Sequence, residues 1–407
     1  MDELEHFRGE ALAFLEAHAA RHAPRRDGFH WGVGSDRVAL FSEPDRADEA
    51  TEIAAARQWR CTAFDAGYGW LSGPPRYGGR GLPPSYERAY QALERDFDVP
   101  SQVPFNIGLG MVAPTVLAHG TDAARSRYLR AMYRGDIIGC QLFSEPGAGS
   151  DLASVTTRAV RDGDRWIIDG QKVWTSGAHY SDIGLLLTRT SPGPKHRNLT
   201  AFVVDMRADG VEVRPLRQMT GGAAFNEVFL TGVGIPDDHR LGEVDAGWTV
   251  ALTTLMHERG SVGGARGGAG ILSTARFIAS ARQFGLDRDP GVRQALAAVY
   301  SRLAVARYTQ LRSHARRQSS MPPGAEGSIA KLAHTQNLAA VADLMSQILG
   351  PHLVADSGQW GTSAWGEFIL GVPGMRLGGG TDEIQRNILA ERVLGLPKDP
   401  PPAQPGS

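Results

Sequence analysis

Apolar positions over residues 3–20 fall at Leu4, Phe7, Ala11, Leu12, Leu15 and Ala19, spaced three and four apart, and predict an amphipathic helix. Residues 23–47 are rich in Pro, Gly, Asp and Arg and read as a long connection, after which helical spacing returns from about Asp48 to Ala66. Trp70 to Pro75 and Tyr77 to Leu82 are turns by composition. Ser85 can cap a helix carrying Tyr86, Tyr90, Leu93 and Phe97 on one stripe, and Thr121 or Asp122 can cap another that ends near Arg134-Gly135. Residues 1–138 are therefore a mainly helical domain.

From Ile137 the period changes to two. Thr156 to Val160, then Asp162-Gly163, then Trp166 to Asp169 predicts a hairpin with a tight turn. Asp182 to Thr188, Leu199 to Asp205, Val211 to Pro215 and Glu227 to Leu230 supply further short strands, so residues 139–240 form a compact antiparallel β domain. Ser191 to Arg197 reads as an exposed loop whose charge serves solvation. Helical spacing resumes after Gly247: Leu252, Leu255 and Met256 open one helix, and Ala295 to Arg316 and Ser328 to Leu349 are long ones. Such segments joined by short loops predict a helical bundle over residues 241–396, with a proline-rich tail at 397–407 read as disordered.

Composition narrows the function classes. A chain of 407 residues can bury a large core in two or three domains. A formal net charge of -1 gives no electrostatic case for nucleic acid or an anionic membrane. No apolar stretch of about 18 residues predicts a transmembrane helix, and the acidic start Met1-Asp2-Glu3 lacks a signal peptide's basic region. Cys61 and Cys140 lie far apart without metal spacing, which fits a reduced, cytoplasmic setting with both as buried fillers. Only four of the 43 basic residues are lysine, read as compositional bias.

Three stretches carry candidate chemistry. In Gln141-Leu142-Phe143-Ser144-Glu145-Pro146-Gly147-Ala148-Gly149-Ser150-Asp151 an apolar run ends in hydroxyls and glycines that let backbone N–H groups approach a ligand; a plain loop after a strand is the alternative. Downstream, Trp174-Thr175-Ser176-Gly177 sets a large ring beside hydroxyls, as a flat polar heterocycle requires. The third is Gly380-Thr381-Asp382-Glu383-Ile384-Gln385-Arg386. Together, in this order and spacing, they resemble the signatures of the acyl-CoA dehydrogenase family, over most of the chain but thinning in the first eighty residues. The resemblance implies an α+β multidomain fold: a helical N-terminal domain, a middle antiparallel β-barrel and a C-terminal helical bundle.

It also implies chemistry: FAD-dependent desaturation of an acyl-CoA between Cα and Cβ, with electrons passed to an electron-transfer flavoprotein. Many members place the catalytic glutamate just before the Gly-Thr of the third motif, where this chain has Gly379, and glycine cannot accept a proton. A subset resembling isovaleryl- and long-chain-type enzymes carries it on a bundle helix beside an arginine, as in Leu255-Met256-His257-Glu258-Arg259. Glu258 is therefore the expected base, an ion pair on a helix surface being the alternative, and Arg259 its support or a substrate contact. By analogy the Gly379 N–H donates to the thioester oxygen; a flexible turn is the alternative.

For the flavin the matched positions are Gln141, Phe143, Ser144, Gly149, Ser150, Trp174 and Ser176, with Ser176 near N5, Trp174 against the isoalloxazine and Ser150 also near the pantetheine arm. Thr381 and Glu383 match positions near the adenosine and pyrophosphate, while Gln347 and Gly350 match a segment contributed across a subunit interface, implying a homodimer or homotetramer. Two departures stand out. Arg282 precedes Phe284-Gly285 by two residues where the family has three, and Pro351 follows Gly350 where the family prefers glycine. The glycine-rich stretch Gly260 to Gly270 either widens the acyl cavity for a bulky group or breaks the helix. Two other functions fit the same residues: oxidation of a non-thioester such as a nitroalkane or hydroxylamine, and a non-catalytic subunit of a heteromer.

Overall fold

The computed structural model describes residues 3–22, 29–41, 46–262, 271–318 and 326–398. The terminal part of the proline-rich tail and residues 263–270 of the glycine-rich stretch lie outside them, and of Arg259 and Gly260 only the backbone is described. Two compact units result: residues 3–22, 46–218 and 222–257 in one, and 29–41, 219–221, 258–262, 271–318 and 326–398 in the other.

The first unit opens with α1 (Glu3–His18), β1 (Ala20–Arg21), α2 (Arg46–Asp65), α3 (Pro84–Glu94), β2 (Phe97–Asp98), α4 (Ala113–His119) and α5 (Asp122–Arg134). The stripe on α1 buries Phe7, Ala11 and Leu15 against Trp59, Tyr90 and Phe97. Thr121 caps α5 by accepting from the Ala124 amide, and Gly135 ends it in a left-handed conformation at φ 96°. The β1–β2 ribbon, two residues a strand, is too short to show a period and escapes the sequence pattern.

The β segment contains β3 (Gly139–Leu142), β4 (Arg158–Asp162), β5 (Arg165–Ser176), β6 (Ile183–Arg189), β7 (Leu199–Asp205), β8 (Val211–Leu216), β9 (Phe225–Pro236) and β10 (Arg240–Leu241). The β4–β5 hairpin forms as predicted, Gly163 taking φ 62° in its turn. In place of a purely antiparallel barrel there is an eight-stranded sheet in the order β10-β7-β6-β4-β5-β9-β8, with β3 running parallel to β6. β3 and β4 share one edge of β6, β3 beside Ile183 to Leu186 and β4 meeting it at Arg189. Arg57 on α2 ties the helices to the sheet, donating to Asp182 at 2.6 Å and to the carbonyls of Gly135 and Asp136.

α6 (Gly247–Val262), α7 (Thr274–Gln283), α8 (Pro290–Gln318), α9 (Glu326–Leu349), α10 (Ala364–Leu377) and α11 (Asp382–Arg392) complete the chain. In the second unit, Phe277, Val299, Leu338, Val341, Met345, Trp365 and Phe368 form one core. Residues 29–41 correct the expectation of a plain connection, because Val38 is wholly buried in that same core. Arg276 on α7 stands over the rings of Phe29, Trp360 and Trp365 and donates to the Asp36 carbonyl at 2.6 Å. Trp31 meets Phe284 and Trp360 edge-on. We call this segment the strap.

Candidate functional site

In the first unit the two early motifs are brought together. Beyond β3, the Ser144 carbonyl accepts from the Val173 amide at 2.9 Å, so the loop after β3 runs alongside β5. Glu145 and Ala148 exchange two backbone hydrogen bonds and close a tight turn. A Cβ added at Gly147 or Gly149 would meet nothing within 4 Å, so packing does not demand glycine there, and its absence of a side chain leaves open space over the loop. Ser150 is exposed, Gln141 and Ser144 are half-buried. The Phe143 ring lies in the core and its carbonyl accepts from Lys172.

Lys172 is the residue that composition obscured. Its ammonium, fully enclosed, donates to the Phe143 carbonyl at 3.0 Å and to Glu145 Oε1 at 2.9 Å. Glu145 also accepts from the Thr156 amide and hydroxyl and the Thr157 amide. Burial raises the Glu145 pKa, yet Lys172 and these donors outweigh it and bring the carboxyl to about 2. Burial lowers Lys172 to about 8, with Glu145 opposing. Both groups are thus charged near neutral pH, and they staple the two motifs together. Two of the chain's four lysines, Lys172 and Lys331, are buried in ion pairs; a lysine kept inside an arginine-rich sequence was the available signal.

The β5–β9 ladder shifts register between Lys172 and Thr175. Trp174 sits in this bulge at φ 62°, a left-handed conformation costly for an aromatic residue, and its side chain is 56% exposed. Phe225 supports the indole edge-on at 5.8 Å between ring centres. Asn226 donates to the Thr175 carbonyl and Ser181 to the Gly177 carbonyl, which pins the segment carrying half-buried Ser176. The bulge re-aims one large ring outward from an otherwise paired strand. Lys195, expected to be merely solvated, pairs with Asp151 of the first motif at 2.7 Å. Cys140 is buried as expected, whereas Cys61 is only partly so.

The second unit holds the other candidates. Glu258 lies half-buried on α6, and burial lowers the pKa of neighbouring His257. Between α10 and α11, Gly379 and Gly380 take φ 67° and 84°, so only glycine fits this turn without strain. The Thr381 hydroxyl caps α11 by accepting from Ile384, and exposed Glu383 lies in its first turn. Asp382 is enclosed, accepting from Thr335 at 2.7 Å, Arg376 at 2.8 Å and Lys331 at 3.4 Å. Burial raises its pKa, but these three donors together hold it below the usual carboxylate range.

Arg282, Gln347 and Gly350 belong to a different corner of the same unit. Arg282 is exposed near the end of α7, and Gly350 follows α9 at φ 48°. Phe284 packs on His352 at 4.9 Å between ring centres. Thr335, which holds Asp382, and Gln347 are twelve residues apart on α9, about 18 Å at 1.5 Å per residue. The two groups of flavin candidates in the bundle do not converge within one chain.

This chain belongs to the acyl-CoA dehydrogenase family: residues 1–136 match its N-terminal domain, 140–233 its middle domain and 245–394 its C-terminal domain. It is 34% identical to the acyl-CoA dehydrogenase IpdE1 of Mycobacterium tuberculosis over 98% of this chain and 99% of that protein. It is 39% identical to the acyl-CoA dehydrogenase FadE34 of the same organism over 70% of this chain, a match spanning 39% of that longer protein. Among solved structures it resembles the Tcur3481-Tcur3483 steroid acyl-CoA dehydrogenase at a TM-score of 0.73 and 27% identity, covering 98% of this chain and 99% of that one. The ChsE4-ChsE5 complex of M. tuberculosis is similar at 0.69 and 26%, with the same coverages. Relatives and structural neighbours are oxidoreductases of the CH–CH bond, and the three-domain architecture is theirs. Among the described residues no helix is long and apolar enough to cross a membrane.

Proposed function

We propose that this protein desaturates an acyl-CoA thioester, with Glu258 as the base that removes the α-proton. The observation that carries the reading is position 379: a left-handed glycine stands where the family resemblance places the carboxylate of many members, while α6 offers half-buried Glu258, next in sequence to Arg259. Bound FAD would supply the acceptor for the hydride leaving Cβ. The residues present suit it: an exposed indole on a strained bulge supplies a wall for a flat ring, and the open space over Gly149 lets backbone N–H groups approach. Half-buried Ser176 follows two residues on as a candidate donor, and Ser144 and Ser150 offer hydroxyls along the loop. The Gly379 N–H, which makes no hydrogen bond among the described residues, is a free donor for the thioester oxygen as charge develops there.

The steroid-acting neighbour and the glycines beyond Glu258 favour a bulky acyl group over a short straight chain. Separation of the Gln347 corner from the Thr381 turn supports a flavin site completed by a second subunit, and an electron-transfer flavoprotein is the expected acceptor. Anaerobic mixing of the flavin-loaded protein with an acyl-CoA panel tests the function. Bleaching by a bulky acyl-CoA, lost in Glu258→Gln with the flavin retained, supports it; bleaching only by nitroalkanes or hydroxylamines overturns it.

A second reading follows from Arg282, exposed and one residue out of the expected spacing, and from neighbours named as two-protein assemblies. Here the second subunit is a different acyl-CoA dehydrogenase chain. Purified alone, the protein would then be stable and colourless.

A further inference from the structure

We propose that Gln385 is a positioning residue that aims the Gly379 N–H at the thioester oxygen. This rests on the desaturation reading above and goes one step further into the same turn. Gln385, 1% exposed on the first turns of α11, donates through one Nε2 to two carbonyls, Gly379 at 2.9 Å and Gly380 at 3.2 Å. Two successive left-handed glycines form a soft stretch of backbone, since glycine crosses φ/ψ space at little cost. Holding both carbonyls removes that softness, because it fixes the peptide planes on the C-terminal side of Gly379. On the N-terminal side, the Gly378 amide donates to Gly374 at 3.0 Å and closes α10. Between these restraints the Gly379 amide makes no hydrogen bond among the described residues and stays available as a donor.

The anchor behind Gln385 is itself rigid. Asp382, one turn earlier, is gripped by Lys331 and Thr335 of α9 and by Arg376 of α10. The other side of the Gln385 amide is unusual: Oε1 is buried with no hydrogen-bond partner among the described residues. Leaving a buried acceptor unsatisfied is costly, and stability alone would not select it. An apolar residue of the same length would avoid that cost, whereas only a donor can hold the two glycine carbonyls. A Cβ at Gly380 would lie 2.7 Å from Gln385 Nε2, so the close approach also depends on glycine at 380.

The test uses the flavin-loaded protein, whichever acyl-CoA reduces it, and the matching 2-enoyl-CoA carrying 13C at its carbonyl. Gln385→Met should slow anaerobic flavin reduction by about 10²-fold, the usual effect of losing one preorganised oxyanion donor. It should change acyl-CoA dissociation by less than about threefold, since the donor acts as charge develops, and shift the bound enoyl carbonyl band to higher wavenumber. Val341→Ala, in the bundle core away from the turn, should lower thermal stability and leave rate and band unchanged. In Gln385→Glu the rate relative to wild type should recover as pH falls, because a protonated carboxyl regains a donor; this variant carries the test should the methionine protein not fold. Wild-type rate and an unshifted band in Gln385→Met, or equal slowing in Val341→Ala, would overturn the assignment. Should no acyl-CoA reduce the wild-type flavin, the desaturation reading falls first, and the role of Gln385 with it.

Discussion

Lys172 Nζ stands 2.9 Å from Glu145 Oε1, with the lysine side chain wholly enclosed and the glutamate nearly so. Breaking a buried pair by removing one partner strands the other charge and costs about 3–5 kcal/mol. Lys172→Met should therefore lower the unfolding free energy by about that amount, read from urea midpoints. Because the ammonium also holds the Phe143 carbonyl, the variant should retain less flavin as purified.

The same pair sets an acid limit. Glu145 has its folded-state pKa depressed from 4.5 to about 2. Across that interval the unfolded chain binds more protons than the folded one, so this contribution is complete above about pH 4.5 and lost as pH falls towards 2. Urea midpoints should fall through this window more steeply in the wild type than in Glu145→Gln.

Glu258→Gln keeps the shape of the side chain and removes its basicity. Flavin content should be unchanged, while the rate constant of anaerobic reduction by a competent acyl-CoA falls by about three or more orders of magnitude. Stopped-flow absorbance of the flavin band checks both; a normal rate sinks the assignment.

Trp174 separates binding from stability. Its indole is 56% exposed on a strained bulge, so Trp174→Ala should change unfolding free energy by less than about 1 kcal/mol. Loss of a stacking surface should nevertheless weaken flavin binding by about tenfold, measured by fluorescence titration of the apoprotein.

Much of this was legible in the chain. Period-two stretches marked the β4–β5 hairpin, and long helical stripes marked α8 and α9, because each buries one face against one core. Motif spacing assembled Ser144 and Trp174, which the fold places along paired backbone. What escaped depends on long-range contact. Lys172 and Glu145 are 27 residues apart, and nothing local says that either is buried. The burial of the Phe143 ring in the core is likewise invisible to motif spacing. Trp174 owes its exposure to a register slip between two strands, which neither strand's own alternation encodes.

The strap gives synthesis an order. Asp36 leaves the ribosome 240 residues ahead of Arg276, whose guanidinium donates to its carbonyl. At about 5–20 residues per second, Phe29, Trp31 and Val38 wait some tens of seconds for the helices they will join. A fragment starting at Glu258 would carry an empty groove where Val38 belongs, so cutting the chain at the apparent border between domains removes part of the later one. A fusion designed to swap the C-terminal half between relatives must therefore carry residues 29–41 along with it.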